Sequence, residues 1–292
     1  MSDVLLGLAH LIRYANFQVP STRGISGSSS VPTGKPFEVY CKDWLSLTPP
    51  GNNAVRIQNY TQVFSYFGSA NNPPDVMYKG GNCGDAFEFK KSESPSAALS
   101  LNSSFPKNEL TSTSPGLLAS CINCEPWNTR TFYYAVGNIA SETDRVMSLW
   151  VVDGKLMADT HQRYSTIFNG IKQSVTNFIN QNSLQFIPSV EFGRVRKIDN
   201  LDKSVLRVRP MWELESPQRT FENLPGVNID RTKSVLHALI LDSRWNLYPL
   251  ASRQTIQNLS GTTGFSLTNF QGVPDPSNAN NTLSGMLIRY EV

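Results

Sequence analysis

The sequence has little charge, few histidines and no long apolar run. Charged residues make up 17% of the 292 positions, below the roughly 25% usual in soluble domains. The formal net charge is only +3, too small to argue for a nucleic-acid surface by itself. No uncharged apolar stretch reaches the roughly 18 residues that a membrane-spanning helix needs, so no membrane span is expected. The three histidines, His10, His161 and His237, fall in no H-E-x-x-H pattern, and His161 and His237 read as structural. Of the four cysteines, only Cys121 and Cys124 form a C-x-x-C, with no second pair to close a zinc knuckle. The opening MSDVLLGLAHLIRYANF lacks a basic n-region and a small-residue cleavage site, so the expectation is synthesis in a reducing cytosol.

Other chemical signatures are also missing. GSSSVPTGKP, residues 27–36, has Pro36 where a phosphate loop needs a hydroxyl and a helix-opening N–H. GISGS, residues 24–28, spaces its second glycine wrongly for a nucleophile elbow. The acidic pairs Glu142/Asp144, Asp199/Asp202 and Glu213/Glu215 are explained by surface charge at strand ends. The sequence therefore points to no catalytic residue, no metal and no cofactor, and the expected protein is not an enzyme.

What is abundant is Ser, Thr and Asn: 33, 19 and 25 residues, with 18 Pro and 19 Gly. That composition favours short strands joined by turns and long loops. The runs at 37–41, 54–67, 86–90, 131–137, 189–198, 204–214 and 234–242, and the C-terminal GMLIRYEV, are rich in β-branched and aromatic residues and read as strands. Pro210 marks an edge or a break. Asp153-Gly154 between two apolar runs predicts a two-residue hairpin. One segment has a helical apolar stripe: Tyr164, Phe168, Ile171, Val175, Phe178 and Ile179 predict a helix over 160–180. The stretches 68–85, 91–130 and 253–283 read as surface loops.

The chain divides at residue 36. Residues 1–36 read as a short helix on a flexible Ser/Gly/Pro-rich arm, and 37–292 as a β-rich body. Leu5, Leu8, Leu11 and Ile12 share one face of the first helix and are candidate assembly contacts, since so short a helix needs something to bury against. Arg194, Arg196 and Lys197 fall on one expected strand, and Arg207 and Arg209 on the next. Alternation puts each arginine pair on one face, a candidate polyanion-binding patch; a solvated sheet face explains the same pattern.

The whole-chain plan of short helix, arm and β-rich body with long loops resembles the jelly-roll coat proteins of small non-enveloped, picorna-like RNA viruses. The opening LLGLAHLIRYANFQVP is similar in character to the apolar segment before the first strand in some of them. The resemblance implies a mainly β, antiparallel, jelly-roll-like sandwich in a self-assembling capsid subunit of a virion. Its partners are then itself, other coat subunits, the RNA genome and a host-surface receptor or glycan. Two rival readings stand beside it: a lectin-like sandwich, with Trp127, Trp212 and Trp245 for sugar stacking, and a hydrolase on a β scaffold.

Overall fold

The computed structural model describes residues 2–20, 36–49, 53–69, 72–92, 94–102, 104–114, 116–140, 142–189 and 192–292. Three helices come first: α1 (Val4–Tyr14), α2 (Pro36–Leu45) and α3 (Asn53–Val63). Strands β1 (Phe64–Ser69), β2 (Asn72–Tyr78), β3 (Ala86–Ser92), β4 (Leu99–Asn102) and β5 (Glu109–Thr111) follow. After α4 (Ala119–Ile122) come β6 (Thr129–Ala140), β7 (Arg145–Asp153) and the long helix α5 (His161–Gln181). Next are β8 (Gln185–Pro188), β9 (Gly193–Arg196), β10 (Leu206–Val208), β11 (Trp212–Leu214) and α6 (Pro217–Phe221). The chain finishes with β12 (Val235–Leu241), α7 (Asp242–Trp245), α8 (Leu250–Gln257), β13 (Phe265–Asp275) and β14 (Asn278–Glu291).

The β-rich character expected from composition is present, in a mixed α/β arrangement. One sheet runs β1-β2-β3-β6-β7-β12-β14-β13, with β5 added beside β6. β3 pairs with β6 and β7 with β12 in parallel; the other pairs are antiparallel. Two small sheets, β10-β9-β8 and β11-β4, stand apart from it. This strand order gives no support to two facing antiparallel sheets. Helices instead cover the large sheet: Leu236, Ala238 and Ile240 of β12 share a core with α1, α2 and α8, while Leu239 and Leu241 face Trp150 and Phe221 on the other side. A strand buried on both faces needs apolar residues at every position, and VLHALIL supplies them at all but His237, which stacks on Trp150.

Two expected strands are helices. In α2, Phe37, Tyr40, Cys41, Trp44 and Leu45 recur at i, i+3, i+4, i+7 and i+8 and are all buried. Pro36 occupies the first position, where its missing N–H costs nothing. In α3, buried Arg56 pairs with Asp43 of α2 at 2.9 Å, and Tyr60 donates to the same carboxylate; only from Phe64 does the 54–67 run become a strand. The hairpin expected at Asp153-Gly154 is a 3-10 turn leading to α5. Gly154 is needed there because a Cβ would sit 2.5 Å from the Lys107 carbonyl oxygen. The 253–283 stretch holds the end of α8 and the β13–β14 hairpin, whose exposed polar faces hide its strands from a composition-based reading. The long helix falls where expected.

α1 is capped by Asp3, whose carboxylate accepts from Leu6 N at 3.0 Å and from the Ser252 hydroxyl of α8 at 2.6 Å. Leu5, Leu8, Leu11 and Ile12 are buried in the core of their own chain. An assembly role for them therefore has no exposed apolar surface to use. The arm at 21–35 lies outside the described residues.

Candidate active site

The site begins with a sequence that cannot keep a strand paired. β2 reads Asn-Pro-Pro-Asp-Val-Met-Tyr; Pro73 and Pro74 supply no backbone N–H, so the ladder cannot continue through them. β2 and β3 pair only at Val76–Phe87 and Met77–Ala86. Extending that register places Asp75 level with Glu88, just where the two strands part. β3 stays anchored on its other edge, in parallel register with β6 through Ser92. Its side chains alternate: Phe87 and Phe89 join the helix-covered core, so Glu88 and Lys90 point to the other face.

Three charged groups meet at the parting. The Asp75 carboxylate accepts from Phe89 N at 2.6 Å, and Lys90 Nζ lies 2.8 Å from Glu88 Oε1. Glu88 Oε2 is buried and has no hydrogen-bond partner among the described residues. Burial, and then the neighbouring Glu88 charge, hold the Asp75 carboxyl well above the ordinary carboxylate range. Burial alone would depress Lys90, but the charges of Glu88, Asp75 and Glu38 outweigh it and leave the amine above its ordinary value. Glu38, in the first turn of α2, reaches this group electrostatically and lies 3.8 Å from buried Lys42 one turn on. Lys107 lies within electrostatic reach of Glu88 and Lys90. Its amine donates to the Phe105 carbonyl at 3.1 Å, and burial pulls it down to about 8 although Glu88 acts to raise it.

The β2–β3 connection is pinned from below. Glu125 accepts from Gly80 N and Gly81 N, both at 3.1 Å, and pairs with buried Arg130 at 2.5 Å. Arg130 in turn donates to the Tyr78 carbonyl at 2.6 Å, and Asn82 accepts from Asn128 N. The hairpin that carries Asp75 and Glu88 is thus tied to β6 at its closed end and open only at its acidic end.

The donor set suits a hard divalent cation such as Mg²⁺. It offers carboxylate oxygens from adjacent strands, one of them buried without a partner, and no sulfur or imidazole. Among the described residues no three His, Cys, Asp or Glu side chains form an all-protein cage. Mg²⁺ does not require one, since it is usually held by one or two carboxylates together with waters and substrate phosphate.

The sequence reading named none of Asp75, Glu88 or Lys90. It placed Asp75 in a loop and read AFEFK only as a strand, without weighing its charges. The usable signal was an acid on a Pro-Pro-interrupted strand followed, 13 residues on, by Glu-x-Lys on the next strand. Of the residues it did name, Arg194 of β9 faces Arg207 of β10 in register, which brings those two together; Arg196 pairs with Asp202 at 3.1 Å. The tryptophans offered for sugar stacking are largely enclosed: Trp127 and Trp245 are buried and Trp212 packs against Phe105 and Tyr164.

A carboxylate pair and a lysine at the open end of a strand pair are a donor set of the kind that can take a metal ion and a phosphate together. The sequence model of the NgoPII restriction endonuclease family matches residues 2–271. The Type II restriction enzyme NgoPII of Neisseria gonorrhoeae is 35% identical over 215 residues, 74% of each chain. No solved structure gives a significant match. The chain belongs to the NgoPII restriction endonuclease family. That membership overturns the coat-protein reading and everything that followed from it: the capsid function, the absence of enzymatic activity, the virion location, and coat subunits, RNA genome and receptor as partners. It also removes the lectin alternative. The resemblance rested on plan and composition, which unrelated β-rich chains share.

Proposed function

We propose that this protein is an endonuclease that hydrolyses phosphodiester bonds in duplex DNA, using Asp75, Glu88 and Lys90 as its active centre. The observation that carries the reading is the convergence of these three residues where β2 and β3 part, with one Glu88 oxygen buried and unpartnered among the described residues. The relative's name, a Type II restriction enzyme, supplies the substrate class.

Asp75 and Glu88 would hold Mg²⁺. When bound, such an ion polarises a phosphoryl oxygen and lowers the pKa of a coordinated water. The protein's own residues do the rest. Glu88 is oriented by its contact with Lys90, and Asp75 by the backbone N–H of Phe89. Lys90 keeps its proton at neutral pH and sets a fixed positive charge beside the position where negative charge grows on the phosphate.

The test is cleavage of mixed-sequence duplex DNA by the full chain, with Mg²⁺ and with chelator. The expected result is discrete fragments with Mg²⁺ only, and a loss of at least about 10²-fold in rate for Lys90→Ala. Cleavage by Lys90→Ala at the wild-type rate contradicts the assignment of Lys90.

A further inference from the structure

The chain's charge is unevenly placed. Residues 161–211 contain eight Lys or Arg against three Asp or Glu, a net of +5, which leaves −2 for the rest of a +3 chain. This segment is α5 with the three-stranded sheet β8–β9–β10, the small sheet outside the large one. Within it the arginines are ordered by register. Leu206 faces Val195, Arg207 faces Arg194 and Val208 faces Gly193, so Arg194 and Arg207 stand side by side on one face while Val195 turns inward and is buried. Both arginines are exposed. Among the described residues, the acids of the β9–β10 turn are committed elsewhere: Asp202 pairs with Arg196, and Asp199 accepts from Leu201 N, Lys203 N and Ser204 N.

The root of this basic unit adjoins the active centre. His161, the first residue of α5, meets the Phe105 ring edge-on at 5.1 Å. Phe105 supplies the carbonyl to which Lys107 donates, and Lys107 lies within electrostatic reach of Glu88 and Lys90. Phe168 and Phe192 brace the strands on α5. A duplex that places one phosphate at Asp75, Glu88 and Lys90 passes close to where this unit leaves the body.

From this we infer that the β9–β10 ribbon, through Arg194 and Arg207, grips the phosphate backbone of the duplex on which the active centre acts. The inference rests on the endonuclease reading. Guanidinium groups suit the task because they bind phosphate oxygens in pairs and stay charged. Placement on paired strands fixes the backbone positions from which the two side chains reach. Such contacts position the duplex without reading its bases.

The experiment measures binding of the full-length protein to a fluorescein-labelled, mixed-sequence 30-bp duplex in chelator, by anisotropy, from about 50 to 200 mM KCl, the range over which phosphate contacts show in the salt dependence. Wild type, R194A/R207A and R194K/R207K are compared, with circular dichroism as the check on folding. Each phosphate contact contributes about 0.9 to the slope of log K against log salt. The alanine pair is therefore expected to lower the slope by about 1.8 and to weaken binding by at least about tenfold, while the lysine pair keeps the slope. A reduction of 1 or more supports the grip; a smaller one overturns it, whatever happens to affinity. A wild-type chain that cleaves duplex DNA but shows no such reduction defeats this inference alone. One that binds without cleaving, with the slope reduced, defeats the endonuclease reading alone. Failure to bind duplex at all defeats both.

Discussion

β12, in the middle of the large sheet, is buried along its whole length, whereas of the 21 residues of α5 only Ile179 is. Nine of the sixteen large apolar side chains exposed among the described residues fall within 161–211, Ile171 and Phe178 among them. The two regions answer different physical demands. The sheet buries apolar surface on both faces and so fixes the β2–β3 hairpin to which the acidic centre belongs. The 161–211 unit buries Ile179 of α5, half-buries Tyr164, Phe168 and Val175, and turns a basic, loosely covered surface outward. Stability should concentrate in the first region and binding in the second.

Substitutions at the buried end of the β2–β3 hairpin should have the largest effect on stability. Arg130→Met removes the buried partner of Glu125 and the donor to Tyr78 O, and should cost about 3–5 kcal/mol in urea unfolding. A loss under about 1 kcal/mol, the range of a surface ion pair, would mean that the hairpin does not depend on this tie.

The next effect concerns pH. Asp85, fully buried with one carboxylate oxygen unpartnered, is pushed up to about 7 by burial, although the Tyr248 hydroxyl that it accepts acts to lower it. The folded state then binds a proton that the unfolded chain has released. This group's contribution to stability therefore falls as pH rises from about 4 to about 7 and levels off above. Asp85→Asn should flatten that slope and gain up to about 4 kcal/mol at pH 7 from the single group, at 1.36 kcal/mol per pH unit. Thermal melts of both proteins across pH 4–8 would show the slope or its absence.

The smallest effect belongs to α5. Ile171→Ser and Phe178→Ser each replace a side chain more than half exposed and should move stability by no more than about 0.5 kcal/mol. A loss of about 2 kcal/mol, typical of a core position, would show that something covers this face and would blur the division between the regions.

The sequence discloses these regions unequally, for physical reasons. Strongly apolar strands such as β6, β7 and β12 declare themselves because both faces are buried. The stripe of α5 is equally plain, being the one clear 3.6-residue period among polar neighbours. α2 was missed because FEVYC is short and aromatic, and its helical period becomes visible only when Trp44 and Leu45 are included. The active centre escaped for a different reason. Acid pairs were sought among near neighbours, such as Asp199 and Asp202, whereas Asp75 and Glu88 are brought together by a hairpin across 13 residues. Pro73 and Pro74, which suggested a loop, are what end the pairing and open the site.

On the proposed reading, chemistry resides where β2 and β3 part while duplex binding resides elsewhere. The most direct measurement compares Asp75→Asn and Glu88→Gln with wild type, scoring duplex binding in chelator and duplex cleavage with Mg²⁺ on the same preparations. Each variant should bind within about threefold of wild type, under 1 kcal/mol, and lose cleavage by at least about 10²-fold. Cleavage by either variant at a rate close to wild type would contradict the account.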